Sequence, residues 1–573
     1  KELRWLFVLF TACCFFPVCG YIFSGFSNVN NRWGYIYAVV VAFVLAEGLD
    51  KMCELTGKEL GIMTGITGLY GLVTVFSDKL YVTSVYGVFS LLAMTLVILF
   101  LLNSDKIAVS KKQFRTAILV MTAFTVFLNA KWFITSGDEA SSHLDTYVSV
   151  GESKKKISAT ALKNLDKVPG TEKEDFYRST NLVTKGTLRS SSMLYGYNDV
   201  STFSSTLNGG IVNYNNAMGN CRWNIVSIYD YNFRTYLNTL ASVKYIGREK
   251  KNTATMPYGY KKVQETKNKK YSIYENQYFL PLGYTYDKII STEAADKYPA
   301  AQKQEISMLA AVVEEKDIKK NSNLTVTEKL PLTAQKAKIK KIKLNGVSMH
   351  DGKIEIEKPG ATMKFFFDAP ANAETYLSFK GDIFAEKDAK EHFILTRVLA
   401  PGVKYTHKFR IDAYSTGQEE YLFNLGYRKD SLNKCTLKFN DVGTLEYKDI
   451  AVYFQKMDDY ADKVNALKEN FLKNAKAEKN TVTGNITVDK DKMLVITLPY
   501  QKGWTAYVDG KKADIQRVNY QYIGINLKKG SHDIKLHYEL PGIKLAFMIS
   551  AGGIIVFAAI IIFNIVRRRR ASL

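Results

Sequence analysis

Cysteine is scarce in this chain: six in 573 residues, with Cys13, Cys14, Cys19 and Cys53 in or beside apolar runs. Only Cys221 and Cys435 fall in the polar part, which excludes a disulfide-built secreted scaffold. That pair forms either one bridge or two buried thiols, and two thiols is the simpler reading. Histidine is as rare, at six residues, and no Cys/His spacing has the form of a zinc site. A Gly-rich phosphate loop, a G-x-S-x-G elbow and a metalloprotease motif are all missing. Acidic residues are outnumbered 55 to 78, for a formal net charge of +23. Such an excess suits a solubilising basic face, or attraction to anionic lipid or an anionic surface polymer.

Long apolar runs are present, concentrated at the two ends. The expected spans are Trp5–Phe23, Gly34–Gly48, Leu60–Phe76, Tyr81–Leu102 and Ala117–Ile134, then Ile543–Val566. Arg567, Arg568, Arg569 and Arg570 follow the last run at once, and a block of arginines holds that end in the cytoplasm. Working back, the basic loops at 104–115 and 50–59 also fall inside, so the positive-inside pattern is self-consistent. The expected fold class is therefore a polytopic α-helical membrane bundle of six spans with a large extracytoplasmic α/β and β-sandwich region. With that region outside the cell, nucleic acid is excluded as a partner. The chain opens on Lys1 rather than Met, with no signal peptide. This is the expected appearance of the later part of a longer protein, whose missing segment holds part of any active site.

The expected domains are a five-span bundle (1–135), an α/β domain (136–330), a β-sandwich (331–456), a linking helix (457–479) and a small β module (480–542). The final span (543–566) and a basic tail (567–573) follow. Strand-like stretches in the sandwich include Lys353–Ile356, Thr362–Phe367 and Cys435–Phe439, split by Gly/Asp/Asn turns. Thr292–Lys319 and Met457–Lys479 read as helices. Asp509–Gly510 and Lys529–Gly530 read as hairpin turns.

Chemistry-bearing residues are few. The first outer loop brings Asn31, Arg32 and Trp33 to headgroup depth; Arg offers phosphate a bidentate fork, and an aromatic ring can stack on a sugar. On composition alone, Arg32 snorkels and Trp33 belongs to the aromatic belt. Asp78, Asp138, Glu139, His143 and Asp145 lie near the membrane, where ordinary solvated loop roles are the default. The stretch Asp199–Asn208, with Ser204 and Ser205, can offer hydroxyls and an amide to a sugar or simply close a turn. The spans hold no chain of buried charges, which argues against a transporter.

Several segments together resemble the YfhO family of bacterial membrane proteins: Asn31–Arg32–Trp33, Phe176–Tyr177–Arg178, Gly196–Tyr197, Ser201–Thr206 and Val243–Lys244–Tyr245. So does the closing pattern Pro499–Tyr500, Gly503–Trp504, Asp509–Gly510, Gly530, His532, Tyr538 and Pro541–Gly542. The resemblance implies a GT-C-like glycosyltransferase that moves a sugar from an undecaprenyl-phosphate carrier to an extracellular glycopolymer such as lipoteichoic acid. It implies membrane lipid, the lipid-linked sugar and an anionic cell-wall polymer as partners, and a divalent cation in the full-length protein. The residues themselves identify no metal site and no cofactor. The acidic motif of such enzymes sits in an early outer loop that this chain begins after, so no catalytic carboxylate is assigned. Asn31, Arg32 and Trp33 are then expected on the phosphate side of the pocket, and Ser204, Ser205 and Asn208 on the acceptor side. The alternative is a non-enzymatic envelope protein that binds glycan or scaffolds a partner.

Overall fold

The computed structural model describes residues 2–24, 33–48, 55–75, 94, 110–135, 149–151, 176–182, 190, 192–252, 254–265, 270–383, 393–411 and 414–571. It divides into two units, Lys1–Lys154 and Lys155–Leu573.

The first unit is helical. Its helices are Glu2–Phe15, Pro17–Phe23, Gly34–Gly48, Gly57–Val75 and Lys111–Thr135. Two of them start on reciprocal caps. Glu59 accepts from the Thr56 N–H at 2.8 Å, and Gln113 accepts from the Ser110 N–H at 2.9 Å. In both, the Ser or Thr oxygen returns the bond to the third residue's N–H, which is why these four side chains set the helix starts. Phe7 stacks on Tyr37 at 6.0 Å, and the Thr11 and Tyr37 hydroxyls meet at 2.9 Å. Large apolar side chains such as Trp5, Phe43, Ile66 and Leu119 are exposed.

The six-span bundle is not what the structure contains. Among the described residues one helix, Ile543–Arg570, is long and apolar enough to cross a membrane, or two if Trp5–Cys14 and Pro17–Phe23 count as one bent span. That pair turns by 102° where Pro17 removes a helical N–H. Gly34–Gly48 has 15 residues, and at ~1.5 Å each it falls short of a ~30 Å hydrocarbon core. Gly57–Val75 is diluted by Gly61, Gly65, Gly68, Gly71 and three threonines. The sequence of Lys111–Thr135 carries Lys111, Lys112, Arg115, Asn129 and Lys131, which leaves only a short apolar middle. The expected span Tyr81–Leu102 lies outside the described residues apart from Met94. Hydropathy alone overcounted the spans because it scores composition and ignores breaks and length.

The second unit is mostly β. A seven-stranded mixed sheet runs, by neighbour, Thr325–Val326, Lys288–Ser291, Ala311–Val313, Gln516–Val518, Tyr522–Leu527, Lys492–Pro499 and Gly283–Tyr286. Strand Lys492–Pro499, next to the edge strand Gly283–Tyr286, is apolar without alternation from Met493 to Ile496, and the register explains why. Met493 and Val495 face a tyrosine-rich core with Tyr214, Tyr284 and Tyr522, while Leu494 and Ile496 face a second core with Ile523, Ile534 and Leu536. A strand covered on both faces needs apolar residues at every position. The strands expected to form a separate module at 480–542 are thus shared: Lys492–Pro499 and Tyr522–Leu527 belong to this sheet. Thr481–Val488, Trp504–Val508 and Gly530–Tyr538 join a five-stranded sheet with Lys473–Glu478 and Lys511–Ala513.

Two antiparallel sheets make the sandwich. One carries Val347–His350, Lys353–Ile356, Gly443–Lys456, Ala373–Ile383 and Glu420–Arg428. The other carries Ile339–Asn345, Thr362–Ala369, Leu432–Phe439, Phe393–Ala400 and Val403–Arg410. Along Thr362–Ala369 burial alternates strictly, sending Met363, Phe365 and Phe367 into the core. Cys221 and Cys435 are both free and buried in that core, so they are two thiols. The first sheet packs outward on Ala300 and Ala301 through Tyr376, Leu422 and Ala451. Two expected helices are shorter than the pattern implied. Thr292–Lys319 breaks at Pro299, is interrupted by strand Ala311–Val313 and closes in a 3-10 helix over Glu315–Asn321, and Met457–Lys479 is helical only over Tyr460–Lys468.

Candidate functional site

Within the second unit an open cleft of about 650 Å³ lies where the α/β part meets the sandwich. That size falls in the range of small-molecule sites. One wall is the helix Gly209–Ala217, which supplies Asn213 and Asn216. Asparagine is a poor interior helix residue, so this helix depends on its start. Asn208 provides it: its Oδ1 accepts from the Gly210 N–H at 2.7 Å, and its Nδ2 donates to the Tyr500 carbonyl at 3.1 Å and to Gln501 Oε1 at 3.1 Å. One side chain both caps the helix and ties it to the 500–501 loop.

The rest of the lining alternates acids and bases. Asp296 accepts from the Tyr520 hydroxyl at 2.8 Å and pairs with Lys303 at 3.0 Å. Glu314 pairs with Arg517 at 3.3 Å, and Glu419 with Lys448 at 3.5 Å. Glu420 accepts from the Ser378 hydroxyl at 2.9 Å and from the Ala300 N–H at 3.1 Å, with Lys380 at 3.9 Å. Gln418 is fixed by the Trp223 indole, which donates to its Oε1 at 2.9 Å. Burial and the Asp296 carboxylate push the Tyr520 phenol well above its ordinary value, so it stays a donor. Donors and acceptors at short spacing, with net charge near zero, suit a polyhydroxylated ligand; nothing in the cleft is an activated nucleophile. Among the described residues no group of three or more His, Cys, Asp or Glu is placed to hold a metal ion.

The residues expected from sequence lie elsewhere. Asn31 and Arg32 fall outside the described residues, as do Asp78, Asp138, Glu139, His143 and Asp145. Trp33 is 5% exposed, packed on Phe23 at 4.9 Å and Phe10 at 6.1 Å. The Ser204 hydroxyl accepts from the Thr206 N–H at 3.3 Å in a local turn, and Ser205 is exposed. Neither serine lines the cleft, and Asn208 serves it by positioning the helix. Sequence reasoning passed over Asn213 and Asn216; the signal was an Asn–Tyr–Asn–Asn run inside a helix, where asparagine needs a reason.

Outside the cleft lining, Asp199 accepts from the Ser201 N–H at 2.9 Å. Burial pushes its carboxyl up to about 7 against that bond, with Asp230 adding to the rise. Since the folded value exceeds the unfolded one, the unfolded chain loses its proton first as pH rises. Stability is therefore expected to fall between pH ~4 and ~7 by on the order of 2 kcal/mol, allowing for partial solvent access. Asp199→Asn should flatten that part of the curve in urea unfolding at a series of pH values; an unchanged slope would rule out Asp199 as its source.

The chain matches the family described as bacterial membrane protein YfhO over residues 3–550. It belongs to the YfhO family. An uncharacterized YfhO protein of Bacillus subtilis (strain 168) is 28% identical over 594 residues, covering 99% of this chain and 63% of its own length. The chain thus spans under two thirds of that relative. Among solved structures, the arabinofuranosyltransferase AftD from Mycobacteria aligns with 86% of this YfhO-family chain and 71% of its own at 8% identity and a TM-score of 0.31. The C-terminal CBM6 of LamC from Zobellia galactanivorans aligns with 22% of the chain and 99% of its own at 10% identity and a TM-score of 0.16. Both scores are too low to carry a functional conclusion.

Proposed function

We propose that this chain is the acceptor-handling part of a membrane glycosyltransferase of GT-C kind, which moves a sugar from undecaprenyl phosphate to an extracellular cell-wall polymer such as lipoteichoic acid. The observation that carries the reading is the cleft, a sugar-sized space lined by asparagine amides, tyrosines and paired charges. Membership of a membrane-protein family supports it. So does the terminal helix, whose arginine block holds the carboxyl end in the cytosol by the positive-inside rule and leaves the β-rich part outside.

In the reaction, an acceptor hydroxyl attacks the anomeric carbon as the bond from that carbon to the phosphate oxygen breaks. The hydroxyl proton passes to a carboxylate, and the lipid phosphate leaves. The four cleft carboxylates, already engaged by neighbours, are not assigned that role, and a divalent cation would serve the phosphate side. Arg32, with Asn31 and Trp33, serves the phosphate side. Asn213 and Asn216 hold the acceptor, with Asn208 fixing their helix and Ser204 and Ser205 at its approach.

The test is the sugar content of cell-surface teichoic acid. Cells with the full-length protein are expected to carry substituted polymer by NMR, and cells lacking it bare polymer. Asn213→Ala with Asn216→Ala removes two hydrogen-bonding amides at ~1 kcal/mol each, so transfer should fall about tenfold or more at unchanged expression. Identical spectra from cells with and without the gene would sink the reading. One observation favours a non-enzymatic glycan-binding role: all four cleft carboxylates are already engaged by neighbours. Loss of substitution in Arg32→Ala, with the protein still at the membrane, would remove that alternative.

A further inference from the structure

The sandwich has one open face. Its first sheet is covered by the α/β part, but the outer side of the sheet running from Ile339–Asn345 to Val403–Arg410 is exposed or half-buried throughout. Its five strands hold ten lysines and arginines and one acid, Asp368, which pairs with Lys340 at 2.6 Å. The pleat sorts the basic residues. Phe365, Leu437, Val398 and Phe409 point into the core, so Lys364, Lys438, Arg397 and Lys408 point out.

The register then sets like charges side by side. Lys343 lies directly opposite Lys364, and Arg397 directly opposite Lys438. Each such pair costs stability, roughly 0.2–1 kcal/mol. Lys341, Lys434, Lys404 and Lys408 extend the track across the sheet, and none of these eight side chains has an ion pair among the described residues. Rows on a strand recur at ~6.7 Å and strands at ~4.8 Å, so the cations form a grid that a flexible chain of negative charges can follow. The aromatic residues belong to this device. Lys408 lies 3.5 Å over the Phe393 ring and Lys343 5.6 Å over Phe366, which steadies the cations. Both rings are half-buried beneath their lysines, where a bilayer anchor would need them projecting.

We infer that this face docks a linear phosphodiester polyanion, holding the acceptor chain while one of its units is worked on elsewhere. Naming that chain as the acceptor rests on the function proposed above; the charge track does not. Repulsion carried at a cost, with no acid among the described residues paired to these eight cations, is relieved by an external anion, and the regular spacing matches a polymer better than a single phosphate.

The test uses the full-length protein in neutral phosphatidylcholine nanodiscs, with poly(glycerol phosphate), neutral dextran and phosphatidylglycerol vesicles as probes. The parent should bind poly(glycerol phosphate) with strong salt dependence and ignore dextran. The variant K343Q/K364Q/R397Q/K438Q should bind it at least tenfold more weakly, with a log–log salt slope lower by ~3. Its thermal midpoint should hold or rise, because two repulsive pairs are gone, and that separates lost docking from misfolding. Equal binding by parent and variant overturns the inference. Vesicle binding that the variant loses while polymer binding persists assigns the face to a bilayer and also overturns it. A protein that binds the polymer through this face yet transfers no sugar in cells keeps the inference and removes the transferase reading.

Discussion

Lys463→Ala is expected to destabilise the β-rich unit by about 3–5 kcal/mol, the cost of leaving a buried charge without its partner. Lys463 is 7% exposed and Glu305 fully buried, with Nζ and Oε1 2.6 Å apart. Glu305 also accepts from the Thr333 N–H at 2.9 Å, the Thr333 hydroxyl at 2.6 Å and the Ala334 N–H at 2.9 Å. Lys463 reaches Asp459 at 2.8 Å and the Thr333 hydroxyl at 3.1 Å. The cluster therefore joins helix Ala300–Leu309, helix Tyr460–Lys468 and the segment entering the sandwich at Gln335. Removing the amine strands a carboxylate in the interior, while Glu305→Gln with Lys463→Met leaves no net charge to strand. Urea unfolding in detergent should show the single variant losing clearly more than the double. A single-variant loss below ~1 kcal/mol would mean that the pair is solvated in practice and joins nothing.

How far the molecule can be read from its sequence varies by element, for physical reasons. Strands with one wet face announce themselves. Lys353–Ile356 is a strand over the same residues, and Thr362–Phe367 lies within Thr362–Ala369, because alternation is what one-sided burial writes into a chain. Asp509–Gly510 is legible for the same kind of reason: both residues take positive φ, 52° and 76°, as a tight hairpin turn requires. Met493–Ile496 is a strand whose lack of alternation marks burial on both faces, but nothing local in it names the two cores it separates. Lys473–Glu478 has helix-forming composition but pairs with the β-branched strand Thr481–Val488, so a long-range partner overrides local preference. The cleft was illegible for a different reason. Asn216, Asp296, Glu420 and Tyr520 come from four distant segments, and no local pattern records that they meet. The basic sheet face was half legible: its lysines are visible in sequence, but their face and their pairing depend on register.

The closing pattern Gly503–Trp504 … Pro541–Gly542 carried part of the family resemblance, and the structure supplies its physical cause and a second large effect. Gly503 takes φ +109°, and a Cβ there would sit 2.3 Å from the Glu539 carbonyl oxygen and 3.1 Å from Pro541 Cδ. The approach is close because the Gly503 carbonyl accepts from the Glu539 N–H at 3.0 Å while Trp504 packs on Tyr538 at 5.1 Å. Two residues later the chain turns into the terminal helix, where Lys544 pairs with Glu539 at 2.8 Å. Gly503→Ala must therefore push a backbone strand away at the point where the sheet hands over to the span. The expected cost is about 3 kcal/mol, strain and overpacking together. Gly510→Ala is the matched control: φ is +76° but nothing lies within 4 Å, so only the backbone term of about 1 kcal/mol remains. Urea unfolding of the two variants in detergent, with limited proteolysis around 539–542, measures the difference. Equal losses would mean that the sheet yields freely at Glu539, and the hand-over to the membrane helix would then be a flexible joint, with the sheet free to swing on the span.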